Sequence, residues 1–387
     1  MENRLYKFLH KIVEEIGERL PSSDGERKTA NFIINKLKEF GLEPIVQNFK
    51  TPKSPYEIFQ FVYFVQFLIS ISFFNFNIYL KIFLIAIQLF IAYFFYREFT
   101  FQHTFLFPFF QSFYSKNIIV KFNSNKKSKE RIIITAHIDS ATASFLFNKR
   151  IVKYLPHQIK FTMFSFVFIF LISIISLYYS NWVIKFLYKF FSIFFGIGFI
   201  VSFYSEYIAK PTKGANDNGS SVAILLGLAE SFSNAKMSDK EVWLVFTGAE
   251  EAGCIGIYEF LKSYKEELKD KDIKTYFITL DCTGVGIPTI VRSEGMLKRY
   301  KSSQFLLNRI EETASRAGIK YQVKDLPVGY TEMEVAINFG FEAITIGAAF
   351  ENPKEVPNWH QESDRIEFVN SKTLYNIYKI LESYIKS

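Results

Sequence analysis

Cysteine is almost missing from this chain. Two residues in 387, Cys254 and Cys282, cannot build a disulfide framework, so a small cross-linked secreted fold is excluded and a reducing compartment is expected. Histidine is also scarce, five in all, so the place of each one carries information. There is no HExxH zincin helix, no Walker phosphate loop and no G-x-S-x-G nucleophile elbow, which removes three large hydrolase classes. Met1–Arg19 lacks the apolar core of a signal peptide and holds Glu2, Glu14, Glu15 and Glu18. The N-terminus is therefore expected to stay where it is made unless the first span carries it across. The largest gap is in charge. Between Glu57 and Arg97 the only charged residue is Lys81, and between Lys160 and Glu206 only Lys185 and Lys189.

What fills those windows is aromatic. The chain has 46 Phe and 22 Tyr and a mean hydropathy of +0.10, and much of the Phe lies in the two windows. Each window accommodates two spans of roughly 20 residues, the length a ~30 Å hydrocarbon core requires. The spans are expected near 58–76 and 79–96, and near 161–179 and 184–205. The aromatic stretch 99–114, with Pro108 inside it, reads as an interfacial segment. With no Asp or Glu inside the spans, the intramembrane acids of a transporter are missing. The net charge of +8 comes from basic residues scattered among acids or flanking the apolar runs, a membrane pattern that argues against nucleic acid.

The polar remainder alternates helix and strand. Leu5, Phe8, Leu9, Ile12, Val13, Ile16 and Leu20 recur at helical spacing, predicting an amphipathic helix over 3–20 that Pro21 ends. His10 is a residue of that helix. Ser23 with Glu26 resembles a capping box that opens a helix running to Phe40. Strands follow at 42–50, 117–122 and 131–136. After Lys213 come helix 219–234, strand 242–247, helix 255–269, strand 275–281, helices near 302–317 and 331–339, strand 343–347 and a closing helix 371–386. This alternation predicts an α/β sheet sandwiched by helices. The organisation is then one catalytic domain in three pieces, 1–56, 115–144 and 211–387, interrupted by membrane hairpins at 57–114 and 145–210. His103 and His157 lie beside the spans and read as interfacial. Cys254 and Cys282 read as packing residues.

Three apolar strands end in metal-binding side chains. Ile132–Ala136 leads to His137 and Asp139, Val242–Thr247 to Glu250 and Glu251, and Tyr276–Leu280 to Asp281. Open α/β sheets carry their sites at the carboxyl ends of the strands, so these groups should converge. Two further pieces join them. In the turn Gly214–Ser221, Asp217 is the one anionic ligand within a helix start whose Asp and Asn also suit capping. Trp359–Asp364 brings His360. Singly, an HxD or an adjacent pair of acids is ordinary surface or core; the repetition at strand ends is what marks a site. Two imidazoles with three carboxylates suit zinc. In a two-metal hydrolase site one carboxylate bridges ions roughly 3.5–4 Å apart. Glu250 and Glu251 can divide two tasks, one binding metal and the other accepting the proton of the attacking water. Asp139 can orient His137 through its second ring nitrogen.

Five segments, AHIDS at 136–140, GANDNGSS at 214–221, FTGAEEAG at 246–253, LD at 280–281 and WHQESD at 359–364, resemble in this order the co-catalytic zinc aminopeptidases of clan MH. These are the enzymes of the bacterial leucyl aminopeptidase and glutamate carboxypeptidase type. The opening helix pair ending in EFGLEP at 39–44 resembles them too. The resemblance implies a three-layer αβα fold with a mixed, mostly parallel central sheet, to which this chain adds about four transmembrane helices. It implies two Zn2+ ions, with Asp217 bridging them, His137 and Asp281 completing one and Glu251 and His360 the other. It implies Glu250 as general base and Asp139 as the partner of His137. Ser140 and Thr331–Glu332 match positions typical of the family, and Tyr330 either lines the substrate pocket or packs. The expected activity is that of a zinc-dependent aminopeptidase acting on peptides. The alternatives are a carboxypeptidase, a glutaminyl cyclase of the same fold, which generally keeps one metal, or a catalytically silent scaffold.

The chain departs from the family in one respect. Family members hold the first two motifs close together, whereas here 77 residues separate Asp139 from Asp217. The excess is the second hairpin, which leaves just after Ser140 and returns just before Asp217, so the metal-bearing face is expected to look toward the bilayer. Nine basic residues flank the hairpins on the catalytic side (Lys50, Lys53, Arg97, Lys149, Arg150, Lys153, Lys160, Lys210 and Lys213) against Lys81, Lys185 and Lys189 at the tips. This predicts a cytoplasmic catalytic domain, with an extracytoplasmic or lumenal one as the alternative. Side-chain specificity and oligomeric state stay open.

Overall fold

The structure, a computed structural model, describes residues 1–387 except 105, 125, 236, 238 and 353–357. The N-terminal apolar stripe folds as α1 (Glu2–His10) and continues through one widened turn, Lys11–Ile16, until Gly17 at φ +88° breaks it. The helix expected to reach residue 20 therefore stops early, which frees Arg19 to turn inward. Helix α2 (Asp24–Glu39) starts at Ser23, whose hydroxyl accepts the Glu26 amide at 3.2 Å. Glu26 does not complete the expected box on Ser23. One of its oxygens accepts from the Ser22 amide (2.7 Å), the other from Ser115 Oγ (2.7 Å) and the Ala249 amide (2.8 Å).

The remaining elements, in chain order, are β1 (Ile45–Thr51), α3 (Tyr56–Ser72), α4 (Ile78–Phe99), β2 (Phe113–Phe122), β3 (Glu130–His137), α5 (Leu155–Ser176) and α6 (Trp182–Tyr207). Then come α7 (Ser220–Phe232), β4 (Lys240–Thr247), α8 (Ile255–Leu268), β5 (Lys274–Leu280), β6 (Ile287–Glu294), β7 (Tyr300–Lys301) and α9 (Gln304–Arg316). The chain closes with β8 (Gln322–Asp325), α10 (Glu332–Asn338), β9 (Glu342–Ala349) and α11 (Ser371–Lys386). One sheet joins the strands in the order β1-β2-β4-β3-β5-β9-β6-β7, with β8 on β6. Its centre, β4-β3-β5-β9, is parallel, and β1-β2 on one side and β6-β7 on the other are antiparallel flanks. Both faces are covered, which is why the central strands read as unbroken apolar runs. In β3, Ile132, Ile134 and Ala136 pack under α1, α2, α7, α9 and α11, while Ile133 packs under α8 and α10. Strands β7 and β8 are only two and four residues long, and β6 spans eight residues with Pro288 inside it; periodicity predicts none of the three.

Strand register decides where the hairpins emerge. Ile118 of β2 faces Phe246 of β4, so the Phe113 end of β2 overshoots the carboxyl end of β4, and Thr51 pairs with Phe113 beside it. The hairpin α3–α4 leaves from that edge. The hairpin α5–α6 leaves beyond β3 through a short stem, in which the Thr212 amide bonds Ala141 O (2.9 Å) and the Ala143 amide bonds Lys210 O (2.7 Å). Both hairpins thus rise from the sheet edge that carries the metal motifs.

Four helices, spanning Tyr56–Asn75, Ile78–Phe99, Val152–Ser176 and Trp182–Tyr207, are long and apolar enough to cross a membrane. They form a bundle whose core contains Val62, Phe95, Phe166 and Phe195 and runs on into Ala249, Ala252 and Ile255 of the catalytic domain. Ile82, Phe83, Ile197 and Ile200 point outward, 53–64% exposed, as lipid-facing residues would. The 99–114 segment is interfacial only in part. Phe109 is exposed, but Phe101 and Phe107 are buried; residue 105 of this segment, like residue 125 in the predicted turn after β2, lies outside the described residues.

Helices α3 and α6 meet closely. A Cβ on Gly198 would lie 2.8 Å from the Tyr63 ring, and one on Gly196 3.3 Å from Phe67. Gly198→Ala should push the pair apart and destabilise the bundle by roughly 1–3 kcal/mol, read as a lower melting temperature in detergent. An unchanged melting temperature would mean the helices do not touch there.

Candidate metal centre

Because β4, β3 and β5 are neighbours in the sheet, their carboxyl ends lie side by side, with His137 opposite Thr247. The side chains that follow them converge, and the turn before α7 inserts Asp217 between them. Asp217 Oδ1 is 3.2 Å from His137 Nε2, and its Oδ2 is 3.2 Å from His360 Nε2. Each carboxylate oxygen thus faces a different imidazole. His360 Nε2 is also 3.1 Å from Glu251 Oε2, and His137 Nε2 is 3.9 Å from Glu250 Oε2. The donor atoms of His137, Asp217 and Asp281 lie within 4.8 Å of one another, as do those of Asp217, Glu251 and His360. All seven residues singled out from the sequence are brought to this one place.

The supports are hydrogen bonds to backbone. Asp139 accepts the Glu250 amide (3.2 Å) and the Glu251 amide (2.9 Å), fixing the loop after β4. Its Oδ1 is 3.4 Å from His137 Nδ1, ion-pair range without hydrogen-bond geometry. Asp364 accepts the Asn216 amide (2.7 Å) and the Asp217 amide (3.0 Å), clamping the turn that carries Asp217. Asn218 ties that turn to β5 through Leu280 O (2.9 Å) and the Cys282 amide (3.3 Å). Arg19, fully buried, donates to Ile138 O (3.0 Å), Gly17 O (2.7 Å), Lys213 O (2.7 Å) and Gly214 O (2.8 Å), joining the first motif to the second. Ser140 accepts the Arg19 amide and donates to Thr212 O, both at 3.0 Å, at the root of the second hairpin. Arg19 and the clamping role of Asp364 were not assigned from the sequence. Asp364 sits inside a motif, but a lone Arg after an amphipathic helix gives no signal.

Electrostatics show what the pocket needs. Burial alone would depress the His137 imidazole, but Glu250, then Asp139 and Asp217, hold it well above its ordinary value. Burial opposes ionisation of Asp217, yet its hydrogen bonds to His137 and His360 pull its pKa down. Burial and the charge of Asp217 push Asp281 up to about 8. Burial also pushes Glu250 well up against the pull of His137, with Glu251 and Asp281 adding to it. The carboxylates outnumber the cations, so each pushes another toward protonation. Bound divalent cations would remove that conflict, and the mix of imidazole nitrogen and carboxylate oxygen is the donor set zinc takes. Glu251 Oε1 and His137 Nδ1 are buried without a hydrogen-bond partner, further room for a ligand on Glu251 and a nearby support for His137.

Other residues differ from their sequence reading. Cys254 is more than packing: its thiol lies 3.1 Å from Glu250 Oε1 as a donor. His103, read as interfacial, is engaged within the protein. It is buried, 2.7 Å from Glu98 Oε2 and stacked on Phe107 at 3.9 Å. Phe147, from the second hairpin's root, packs on His360 (centroids 4.3 Å) and accepts from Gln361 Nε2 (3.0 Å), so the insertion touches a metal-motif residue directly. Tyr330 both lines the cavity and packs edge-on to Phe101. Glu332 is buried at the start of α10. Thr331 caps that helix and donates its amide (3.0 Å) and hydroxyl (2.6 Å) to Glu294.

Fold and site together define a zinc-peptidase-type αβα protein. Residues 200–385 match the model of Peptidase family M28. Over 178 residues, 45% of the chain, the sequence is 25% identical to a vacuolar membrane protease of Clavispora lusitaniae, of whose length this covers 16%. A zinc aminopeptidase from Bacillus subtilis superposes with a TM-score of 0.58 at 13% identity over 99% of this chain and 94% of that one. A Zn-dependent exopeptidase from Parabacteroides distasonis gives 0.57 at 13% identity over 100% and 97%. A glutaminyl cyclase from Bacteroides thetaiotaomicron gives 0.56 at 14% over 100% and 97%. At such identities the structural likeness speaks for the fold alone. Over residues 200–385 the chain is thus similar to the M28 peptidases, the co-catalytic type its motifs resemble.

Two predictions follow from these supports. Asp364→Asn leaves one acceptor facing two amide donors, and zinc affinity should fall roughly 10–100-fold, measured as metal retained against graded chelator; full retention would remove Asp364 from the clamp. Glu294, buried, has its pKa raised from 4.5 to about 7. The unfolded chain ionises first as pH rises between those values, so the native protein should lose about 3 kcal/mol across that window. Glu294→Gln should abolish that loss, narrowing the gap in melting temperature between about pH 5 and pH 8; an unchanged gap would place the titration elsewhere.

Proposed function

We propose that this protein is a membrane-embedded, zinc-dependent exopeptidase that removes N-terminal residues from peptides. The observation that carries the reading is Asp217 with its two oxygens each 3.2 Å from a different imidazole, the arrangement of a ligand shared by two metals. In this reading His137 and Asp281 hold one zinc, Glu251 and His360 the other, and Asp217 bridges. Zinc bound there would supply an acidified water and polarise the scissile carbonyl.

The chain's own groups do the rest. Glu250 accepts a proton from the attacking water and passes it to the departing amine, so that the C–N bond is replaced by a C–O bond and the proton ends on nitrogen. Asp139 keeps Glu250 and Glu251 in register through their amides and stands beside His137. Cys254 donates to the Glu250 oxygen turned away from that work. The four apolar helices and the membrane-protease relative support an integral membrane protein. The excess of Lys and Arg at the catalytic end of the hairpins supports a cytoplasmic catalytic domain.

Purified protein in detergent, offered free-amine and N-blocked peptides with and without chelator, tests the reading. Free-amine peptides should be shortened from the N-terminus with two zincs per chain, and chelator should stop the reaction. Glu250→Gln should lower kcat roughly 10²–10⁴-fold while zinc content holds. Cleavage of blocked peptides from the carboxyl end only would overturn the aminopeptidase assignment, and a single zinc per chain would overturn the shared-ligand role of Asp217.

A further inference from the structure

The cavity that holds the metal-binding side chains does not stop at them. It measures about 570 Å3, within the roughly 300–1,000 Å3 range of sites that enclose a whole small ligand. Asp217, Glu250, Glu251, Asp281 and His360 line one end. The other end lies inside the helical bundle, among Phe59 and Tyr63 of α3, Phe95 of α4, Ile159 of α5, and Gly198 and Val201 of α6. At a rise of 1.5 Å per residue, Tyr63 is roughly 10 Å along α3 from its start and Gly198 roughly 13 Å from the end of α6.

An aromatic floor closes that end. Phe166 packs against Phe95 (5.2 Å) and Phe195 (4.9 Å) with Tyr63 stacked on it (6.3 Å), and Phe166 and Phe195 are fully buried. The bundle end of the pocket is therefore backed by packed aromatic rings. Gln158, Ser202 and Glu206 add polar groups to the lining. The Glu206 carboxylate is bonded by the Ser54 hydroxyl and lies 3.7 Å from the Lys53 ammonium, so its charge is met. Beyond these polar groups the lining is apolar, and water there would lack the polar partners that hold buried water. A short hydrophilic peptide at the metal end would leave the deep end empty, forfeiting the dispersion contacts of its walls.

We propose that the pocket receives a long apolar chain attached to the scissile amide, so that the substrate is a lipophilic peptide dissolved in the bilayer, presented to the metals with its tail held between the spans. This rests on the peptidase reading above and names its substrate class.

Two series of aminoacyl amides test it on the full-length protein, one lengthening an n-alkyl chain on the amine side, the other on the acyl side, each also made with a diazirine at the chain end. One series should show KM falling by up to about fourfold per added methylene, then levelling once the chain reaches Phe166 and Phe195. Photolabel should map to Phe59, Ile159 or Val201 in native protein and in chelator-treated protein alike. Flat KM in both series, or label confined to outward-facing Phe61, Ile197 and Ile200, would overturn the proposal while hydrolysis of short amides kept the peptidase reading. Label on the pocket residues without any hydrolysis would keep the tail site and sink the peptidase reading instead.

Discussion

The structure turns on negative charge crowded where water is scarce. Asp139, Asp217, Glu250, Glu251 and Asp281 stand around two imidazoles at the carboxyl ends of three adjacent parallel strands. Left to themselves these groups raise one another's pKa, as Asp281 and Glu250 do here. The arrangement persists because the backbone beneath each ligand is tied down by hydrogen bonds that ignore the charge problem. Asp139 holds the loop after β4, Asp364 holds the turn of Asp217, and Arg19 spans four carbonyls between the first and second motifs. Arg19 itself, lowered by burial to about 10 but held up by Asp364, Asp139 and Asp217, keeps its positive charge at neutral pH and offsets part of the excess. Such pre-built geometry lets cations bind without reorganising the fold.

That rigidity explains how the chain tolerates so large an interruption between two motifs. The second hairpin is attached through a stem in which residues 141–143 pair with 210–212, and Ser140 bonds across it to Thr212. To the catalytic domain the excursion is a closed loop with its ends in contact, and loop-closure cost grows only slowly with length. The first hairpin enters likewise between antiparallel neighbours, Thr51 and Phe113. Neither insertion needs any ligand to move. What each adds is contact at the rim: Phe147 on His360, Phe101 on Tyr330.

Much of this was legible beforehand, for physical reasons that differ by region. The central strands announced themselves because both faces are covered and their apolar runs are unbroken. The convergence of His137, Glu250, Glu251 and Asp281 followed because each run stops at a His, Glu or Asp. The spans were legible from their lack of charge, although α5 begins at Leu155, several residues before the uncharged window, because Pro156 and His157 fit its first turn. Strands β6 to β8 were not legible: β7 and β8 are only two and four residues long, and β6 is interrupted by Pro288 and ends in Arg292, Ser293 and Glu294. Glu26 and Arg19 were hidden for another reason. Local pattern assigns Glu26 to a capping box and gives Arg19 no role, whereas both are drawn inward by partners distant in sequence, Ala249 and Gly214. Tertiary hydrogen bonding of this kind leaves no periodic trace.

The remaining step joins the two halves of the molecule. In an open α/β sheet the loops at the carboxyl edge are where specificity varies, since the strands beneath them fix the chemistry. Here those loops have become long apolar helices, and the same edge carries the clustered His, Asp and Glu side chains. The cavity wall there is built partly from the inner faces of the four apolar helices, with Phe59, Phe95, Ile159 and Val201 in its lining. The cavity runs from Glu250 and Asp217 to Tyr63 and Phe95, which pack against Phe166 and Phe195. In the peptidase reading proposed above, this geometry serves selection: the cavity between the helices decides which molecules reach the catalytic edge.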